Sequence, residues 1–223
     1  MKSVVLANSL DHESSLLITE ALKDLSAHGT PIYQRREQTL YRFQVGSLDL
    51  IAKHYQIKTL PRAAAAMLGK SRARRSFQAA RRLLDQGIPT PDAILLLEQG
   101  RIFPEDAFLV TEYFPGLTLL EFLENEKDPP APVITAIVAI FRRLLHSQNR
   151  HGDFHCQNVL VNKEEEITLI DLDGARQRFS KARLRKNLQT DRDRLVNSLF
   201  AYPDFQTRLI EALGKPKSPF PEL

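Results

Sequence analysis

The chain has 223 residues, 43% hydrophobic and 26% charged, with 31 Lys and Arg against 27 Asp and Glu for a formal charge of +4. That composition excludes a disordered segment and suffices for one globular unit or two small lobes. No stretch reaches the roughly 20 apolar residues of a membrane span and the N-terminus lacks a signal-peptide core; with Cys156 alone there is no internal disulfide or zinc-type cluster, and a reducing, cytoplasmic setting is expected.

In chain order, Leu16, Leu17, Ile18, Leu22 and Leu25 recur at near-helical spacing and predict an amphipathic helix over 12–28, stopped at Gly29-Thr30-Pro31. Pro31–Arg36, Thr39–Val45 and Leu48–Tyr55 alternate as a three-stranded meander, with Gly46-Ser47 turning its second hairpin. Arg72–Asp85 is helical by composition and ends before Gly87-Ile88-Pro89-Thr90-Pro91. Ala93–Leu97 and Ala107–Glu112 follow as an antiparallel pair around Gly100. Beyond the break at Phe114-Pro115-Gly116, helical patterns cover Leu119–Leu123 and, after Pro129-Pro130, Val133–Asn149; the tail from Gly214 to Leu223 is expected to be loose. Strands dominate before 112–116 and helices after it, which puts a hinge there and divides the chain into 1–112 and 113–223.

Charge is unevenly spread. Nine Lys or Arg and one acid, Asp85, lie between Lys53 and Pro91, and six basic residues with no acid lie between Arg176 and Lys186. Such clusters suit a polyanionic partner or form a solvated helix face, and both readings stand. They lack interleaved aromatics and a recognised motif, so no nucleic-acid partner is expected.

The chemistry concentrates in HGDFHCQN, residues 151–158, followed by the apolar run Val159-Leu160-Val161 and a second run, Ile167–Ile170, ending in Asp171-Leu172-Asp173. A hairpin with a carboxamide and carboxylates near its ends gathers hard oxygen ligands without sulfur or imidazole. Magnesium takes such a set, because it keeps waters and phosphate oxygens as its other ligands. Phosphoryl transfer needs one further carboxylate to orient the attacking hydroxyl and accept its proton, and Asp153 can supply it.

HGDFHCQN resembles the catalytic loop of the protein-kinase-like fold, H-x-D with Asn five residues after the Asp, and LIDLD stands where that fold has its magnesium-binding Asp-Phe-Gly. The resemblance makes Asp153 the hydroxyl-orienting base and Asn158 and Asp171 the metal ligands, with Asp173 a less defined second carboxylate. Gly152 replaces the usual Arg, as in small-molecule and sugar kinases of this fold. Leu50-Ile51-Ala52-Lys53 resembles the strand whose lysine meets the nucleotide phosphates, and Val110–Phe114 the hinge, where backbone groups of Glu112 and Phe114 would bind adenine.

More narrowly, Arg74-Arg75-Ser76-Phe77 through Leu83, the Gly87–Pro91 segment and Asn187–Leu199 are similar to the lipopolysaccharide core kinases, the Kdo and heptose kinases, over roughly residues 35–200. The likeness implies an α+β, two-lobed protein-kinase-like fold with a small strand-rich N-lobe and a reduced, mainly helical C-lobe. It also implies ATP and Mg2+ as cofactors and an anionic glycolipid or sugar acceptor, met by peripheral contact at the inner membrane surface. Two features depart from the pattern. The helix glutamate that pairs with the lysine is replaced, in register, by Ser76, leaving Lys53 to be oriented by another group such as Gln78 or by the phosphates. The phosphate-covering turn, Arg36-Glu37-Gln38-Thr39, has no glycine. A protein kinase of the same fold and a catalytically weak nucleotide-binding relative therefore stay open as alternatives.

Readings of the neighbours complete the picture. His151 is expected to organise backbone, Cys156 to be a small loop residue, and His155 either to touch substrate or to cap the loop. Asp191 and Asp193 either lock the catalytic loop from a later helix or lie on an exposed helix face.

Overall fold

The computed structural model describes residues 2–6, 10–35, 37–125 and 131–214. The expectations for Arg36, for the Pro129-Pro130 break and for the tail beyond Gly214 lie outside them. Two units emerge, Met1–Arg81 with Pro91–Tyr113, and Arg82–Thr90 with Phe114–Leu223.

In the first unit, β1 (Lys2–Leu6) precedes α1 (His12–Ala21), whose first turn is capped by Asp11 accepting the Ser14 N–H at 2.8 Å. The helix expected over 12–28 is not continuous. A 3₁₀ turn, Leu22–Asp24, interrupts it, and the Asp24 carboxylate caps a new short helix, α2 (Leu25–His28), by accepting the Ala27 N–H at 3.1 Å. Then come β2 (Gly29–Arg35), β3 (Gln38–Val45) and β4 (Leu48–Gln56), the expected meander, with Gly46 at φ 58° in the second turn. Next are α3 (Leu60–Met67), α4 (Arg72–Asp85), β5 (Ala93–Gln99) and β6 (Asp106–Glu112).

The six strands form one sheet in the order β1-β5-β6-β4-β3-β2, antiparallel at every junction. Ile18, Leu22 and Leu25 of the N-terminal helical segment pack with Phe43, Leu50, Ala52, Leu95, Leu97 and Val110 of the sheet. Each fully buried large side chain contributes about 1.5–3 kcal/mol. Residues Ala93 to Glu98 of β5 are all buried, because Leu95 and Leu97 join this core while Glu98, on the opposite face, meets α4.

The second unit contains β7 (Leu117–Thr118), α5 (Leu119–Asn125), α6 (Ala131–His146), β8 (Asn149–Arg150), β9 (Val159–Val161), β10 (Ile167–Leu169), β11 (Arg176–Gln177), α7 (Lys181–Ser198) and α8 (Pro203–Leu213). Its strands make two small antiparallel sheets, β10-β9-β7 and β11-β8. Helix α6 buries Val133, Ile137, Ile140, Phe141 and Leu144, one apolar stripe at helical spacing. It stops at His146 rather than running to Asn149. Asn149 is fully buried, donates to Gln86 Oε1 and Ser147 O, and accepts from Arg82 Nε, partners it reaches only outside the helix. Among the described residues no helix is long and apolar enough to cross a membrane.

Candidate active site

Within the second unit the segment 151–158 is held through both its backbone and its buried side chains. Strand β8 delivers the chain to His151, which is fully buried. Its Nε2 lies 3.0 Å from the Ile170 carbonyl and its Nδ1 accepts the Asp153 N–H at 3.3 Å, a pattern that requires the neutral ring with the proton on Nε2. Burial drives its pKa below the ordinary value, against the opposing pull of Asp191, the Ile170 carbonyl, Asp171 and Asp153. His151 therefore organises backbone.

Asp191 of α7 is fully buried and locks the loop. Its carboxylate accepts the N–H groups of His151 (3.1 Å) and Gly152 (3.0 Å) and lies 3.4 Å from Arg150 Nη2. Three donors around a buried carboxylate settle its charge without solvent. Asp193 does not share this role; its exposed side chain accepts from Gln189 one turn away.

Gly152 has φ +91°, and a Cβ there would sit 2.3 Å from the Gly174 carbonyl oxygen. The absent arginine thus has a local cause: the loop and the turn after Asp171 approach too closely for any side chain. Asn158 closes the other end. Its Nδ2 donates to the Asp153 carbonyl (2.9 Å) and lies 3.1 Å from His155 Nε2, while its own carbonyl accepts the Ile170 N–H (3.0 Å). The 151–158 loop and residues 170–174 are therefore stitched together by the His151 ring, the Asn158 carbonyl, the Gly152–Gly174 contact and the β8–β11 pairing of Arg150 with Arg176.

The side chains that face outward are those with chemistry to offer. Asp153 is about half exposed; Oδ1 accepts from Arg194 Nη1 at 3.2 Å and Oδ2 lies 3.6 Å from His155 Nε2. Asp171 is exposed and left-handed, at φ 58° and ψ 60°, so the chain reverses there instead of extending β10. Aspartate is among the residues that tolerate this region. Asn158 is buried, and its side-chain hydrogen bonds are made through Nδ2, which leaves Oδ1 available. Among the described residues no three His, Cys, Asp or Glu side chains gather into a metal cluster. A divalent cation here would take Asn158 Oδ1 and Asp171, a two-oxygen protein contribution that suits magnesium with phosphate and water completing its shell.

Below the loop, Phe154 is fully buried and stacks on Phe141 of α6 (4.8 Å, 9°). Cys156 is buried, its N–H donating to Ser198 Oγ, and is structural. Arg194, which donates to the Gly152 carbonyl as well as to Asp153, is a site residue that sequence reading missed. Its only signal was position: it lies one helical turn beyond Asp191.

The remaining expected site residues fall elsewhere by unit. Lys53 sits mid-strand in β4, opposite Leu40 of β3 and Leu109 of β6, with Nζ 5.2 Å from the Tyr55 ring centroid. Ser76 is buried at the register of the missing glutamate, and Gln78 is exposed on α4. The buried carboxylate that α4 does meet is Glu98 of β5, which accepts from Ser71 Oγ and Arg74. The Glu112 N–H donates to the Asp92 carbonyl (3.0 Å), so what this residue can offer a base is its carbonyl. Phe114 belongs to the second unit, where its carbonyl accepts the Gly116 N–H (2.9 Å). The glycine-free turn is fixed too: the Glu37 carbonyl accepts the Gln56 N–H (3.1 Å), and its carboxylate is held below the usual range by Arg62.

The lipopolysaccharide kinase (Kdo/WaaP) family profile matches residues 28–213, most of the chain. No curated protein matches it significantly.

Proposed function

The chain belongs to the lipopolysaccharide kinase (Kdo/WaaP) family, and we propose that it transfers the terminal phosphoryl group of ATP, with magnesium, to a sugar hydroxyl of the lipopolysaccharide inner core. Family membership makes it a kinase; the acceptor, the nucleotide and the metal are this reading's own. The observation that carries it is the Asp191-locked loop, which holds backbone rigid while Asp153 stays half exposed.

In this reading the two units correspond to the lobes of a protein-kinase-like fold. Asp153 aligns the acceptor hydroxyl and takes its proton, with Arg194 fixing one carboxylate oxygen so that the other is presented. Lys53 engages the nucleotide phosphates, and the backbone of Glu112 and Phe114 receives the base. Asn158 and Asp171 hold the magnesium, which neutralises phosphate charge. The acceptor is an anionic glycolipid at the inner membrane surface, which gives the basic segments a partner. The buried Ser76 favours a second reading, a nucleotide-binding relative with little turnover, because no carboxylate on α4 stands at the register that would orient Lys53.

The test is incubation of the purified chain with ATP, magnesium and defined core saccharides, beside Asp171→Ala. Phosphate on a core sugar that vanishes in the variant supports the kinase. Nucleotide binding without transfer to any acceptor supports the second reading, and labelling of generic protein in preference to sugar would reassign the acceptor.

A further inference from the structure

The first unit contains a cavity of about 240 Å³ walled by β4, α3 and the first turn of α4. Its charged lining is one-sided: Arg62, Lys70, Arg72 and Arg75 against a single carboxylate, Glu37. That carboxylate is already bonded to Arg62. Arg72 lies over the Tyr55 ring, 5.6 Å from its centroid. The Nε of Arg75 is buried with no hydrogen-bond partner among the described residues.

These cations also stand where a protein places them at a cost. The first turn of α4 carries no acidic residue, yet it contains Arg72, Arg74 and Arg75. A helix N-terminus presents unsatisfied N–H groups and favours negative charge, so cations there oppose the helix dipole as well as one another. Arg74 has its counter-charge in the buried Glu98. Among the described residues no carboxylate forms an ion pair with Lys70 or Arg75. An anion in the cavity would reverse the sign of all these interactions together. The volume is below the few hundred Å³ usual for drug-sized ligands, which suits a compact, highly charged group.

We propose that this cavity is a binding site for a phosphate-bearing anion of about the size of a diphosphate or sugar phosphate. Lys53, assigned to the nucleotide, is not part of its lining. The site borders the proposed nucleotide site, since its lining includes Glu37 of the phosphate-covering turn and Tyr55, whose ring centroid is 5.2 Å from Lys53 Nζ; it goes beyond that reading because the cations that line it are others, and the Lys53 variant below tells the two apart. The phosphate could be free or carried on a lipid headgroup, since α3, which walls the cavity, has two exposed leucines at its ends, Leu60 and Leu68.

The test is thermal-shift and calorimetric titration of the full chain with pyrophosphate and with glucose 6-phosphate, beside flotation with vesicles of phosphatidylcholine alone or containing phosphatidic acid. Wild type is expected to bind at least one phosphate source saturably, and which arm responds identifies the source. Lys70→Gln/Arg75→Gln should weaken that binding by roughly tenfold or more per residue. It should melt no lower than wild type in phosphate-free buffer, whereas arginines needed for the fold would make it melt lower. Lys53→Met should bind as wild type does. The proposal fails if wild type binds none of these probes at millimolar concentration, or if Lys53→Met loses binding as completely as the double variant.

Discussion

The loop at 151–158 and the first turn of α4 both crowd polar and charged groups into a small volume, but they are satisfied differently. In the loop the demands are met internally: Asp191 takes two amides, the His151 ring bridges Ile170 and Asp153, and Asn158 holds the Asp153 carbonyl. At α4 Arg74 meets the buried Glu98, and four cations line a cavity with one carboxylate. The difference separates two uses of charge. A densely bonded network fixes geometry in advance, as catalysis needs. An excess of one sign in a concavity stores electrostatic energy that a ligand of the opposite sign releases.

The sharpest way to break this contrast is at Asp153, the loop carboxylate that remains available. Asp153→Asn should reduce phosphoryl transfer by about 10²–10⁴-fold while leaving nucleotide affinity and melting temperature near wild type, as single-turnover assays and calorimetry would show. A large loss of stability would mean that this side chain belongs to the scaffold instead. Asp191→Ala should do the reverse. Removing a buried carboxylate from two amides and Arg150 is expected to cost about 3–5 kcal/mol, measured by urea denaturation, and activity should fall because the loop is no longer fixed.

Gly152→Ala should be smaller but still large, about 1–3 kcal/mol, because the new Cβ would press on the Gly174 carbonyl and φ is +91°. Next comes pH. Burial keeps His151 neutral and lowers its folded pKa, so below about pH 6.5 the unfolded chain binds the extra proton first. This residue's contribution is complete above that pH and is lost as pH falls, at no more than about 1.4 kcal/mol per pH unit. Denaturation across pH 5 to 8 should show that slope, flattened in His151→Gln. At the bottom of the scale Asp193→Ala, two residues from the lock but exposed, should change stability by less than about 0.5 kcal/mol.

Legibility in the sequence followed the range of the interaction. Helix α4 and the meander of β2 to β4 were readable because period 3.6 and period 2 are local signals. Helix α3 was not, since its alanine run carries little pattern and only the proline in its first turn marks it. Strand β1 was missed because its partner, β5, lies some 90 residues downstream. The interruption at Leu22–Asp24 and the early end of α6 were equally hidden, for each depends on a side chain choosing backbone or distant partners over helix continuation.

By itself the sequence determined the order of chemistry along the chain: a lysine on a strand, then H-x-D and Asn, then an aspartate after a short apolar run. Covalent spacing and local periodicity are enough for that. Tertiary structure alone decided that Asp191 and not Asp193 locks the loop, that Arg194 reaches Asp153, that Gly152 must lack a side chain, and that the basic stretch folds into a concavity. Each of those outcomes depends on which atoms meet across tens of residues, and hydrogen bonds and close contacts act only over a few ångströms.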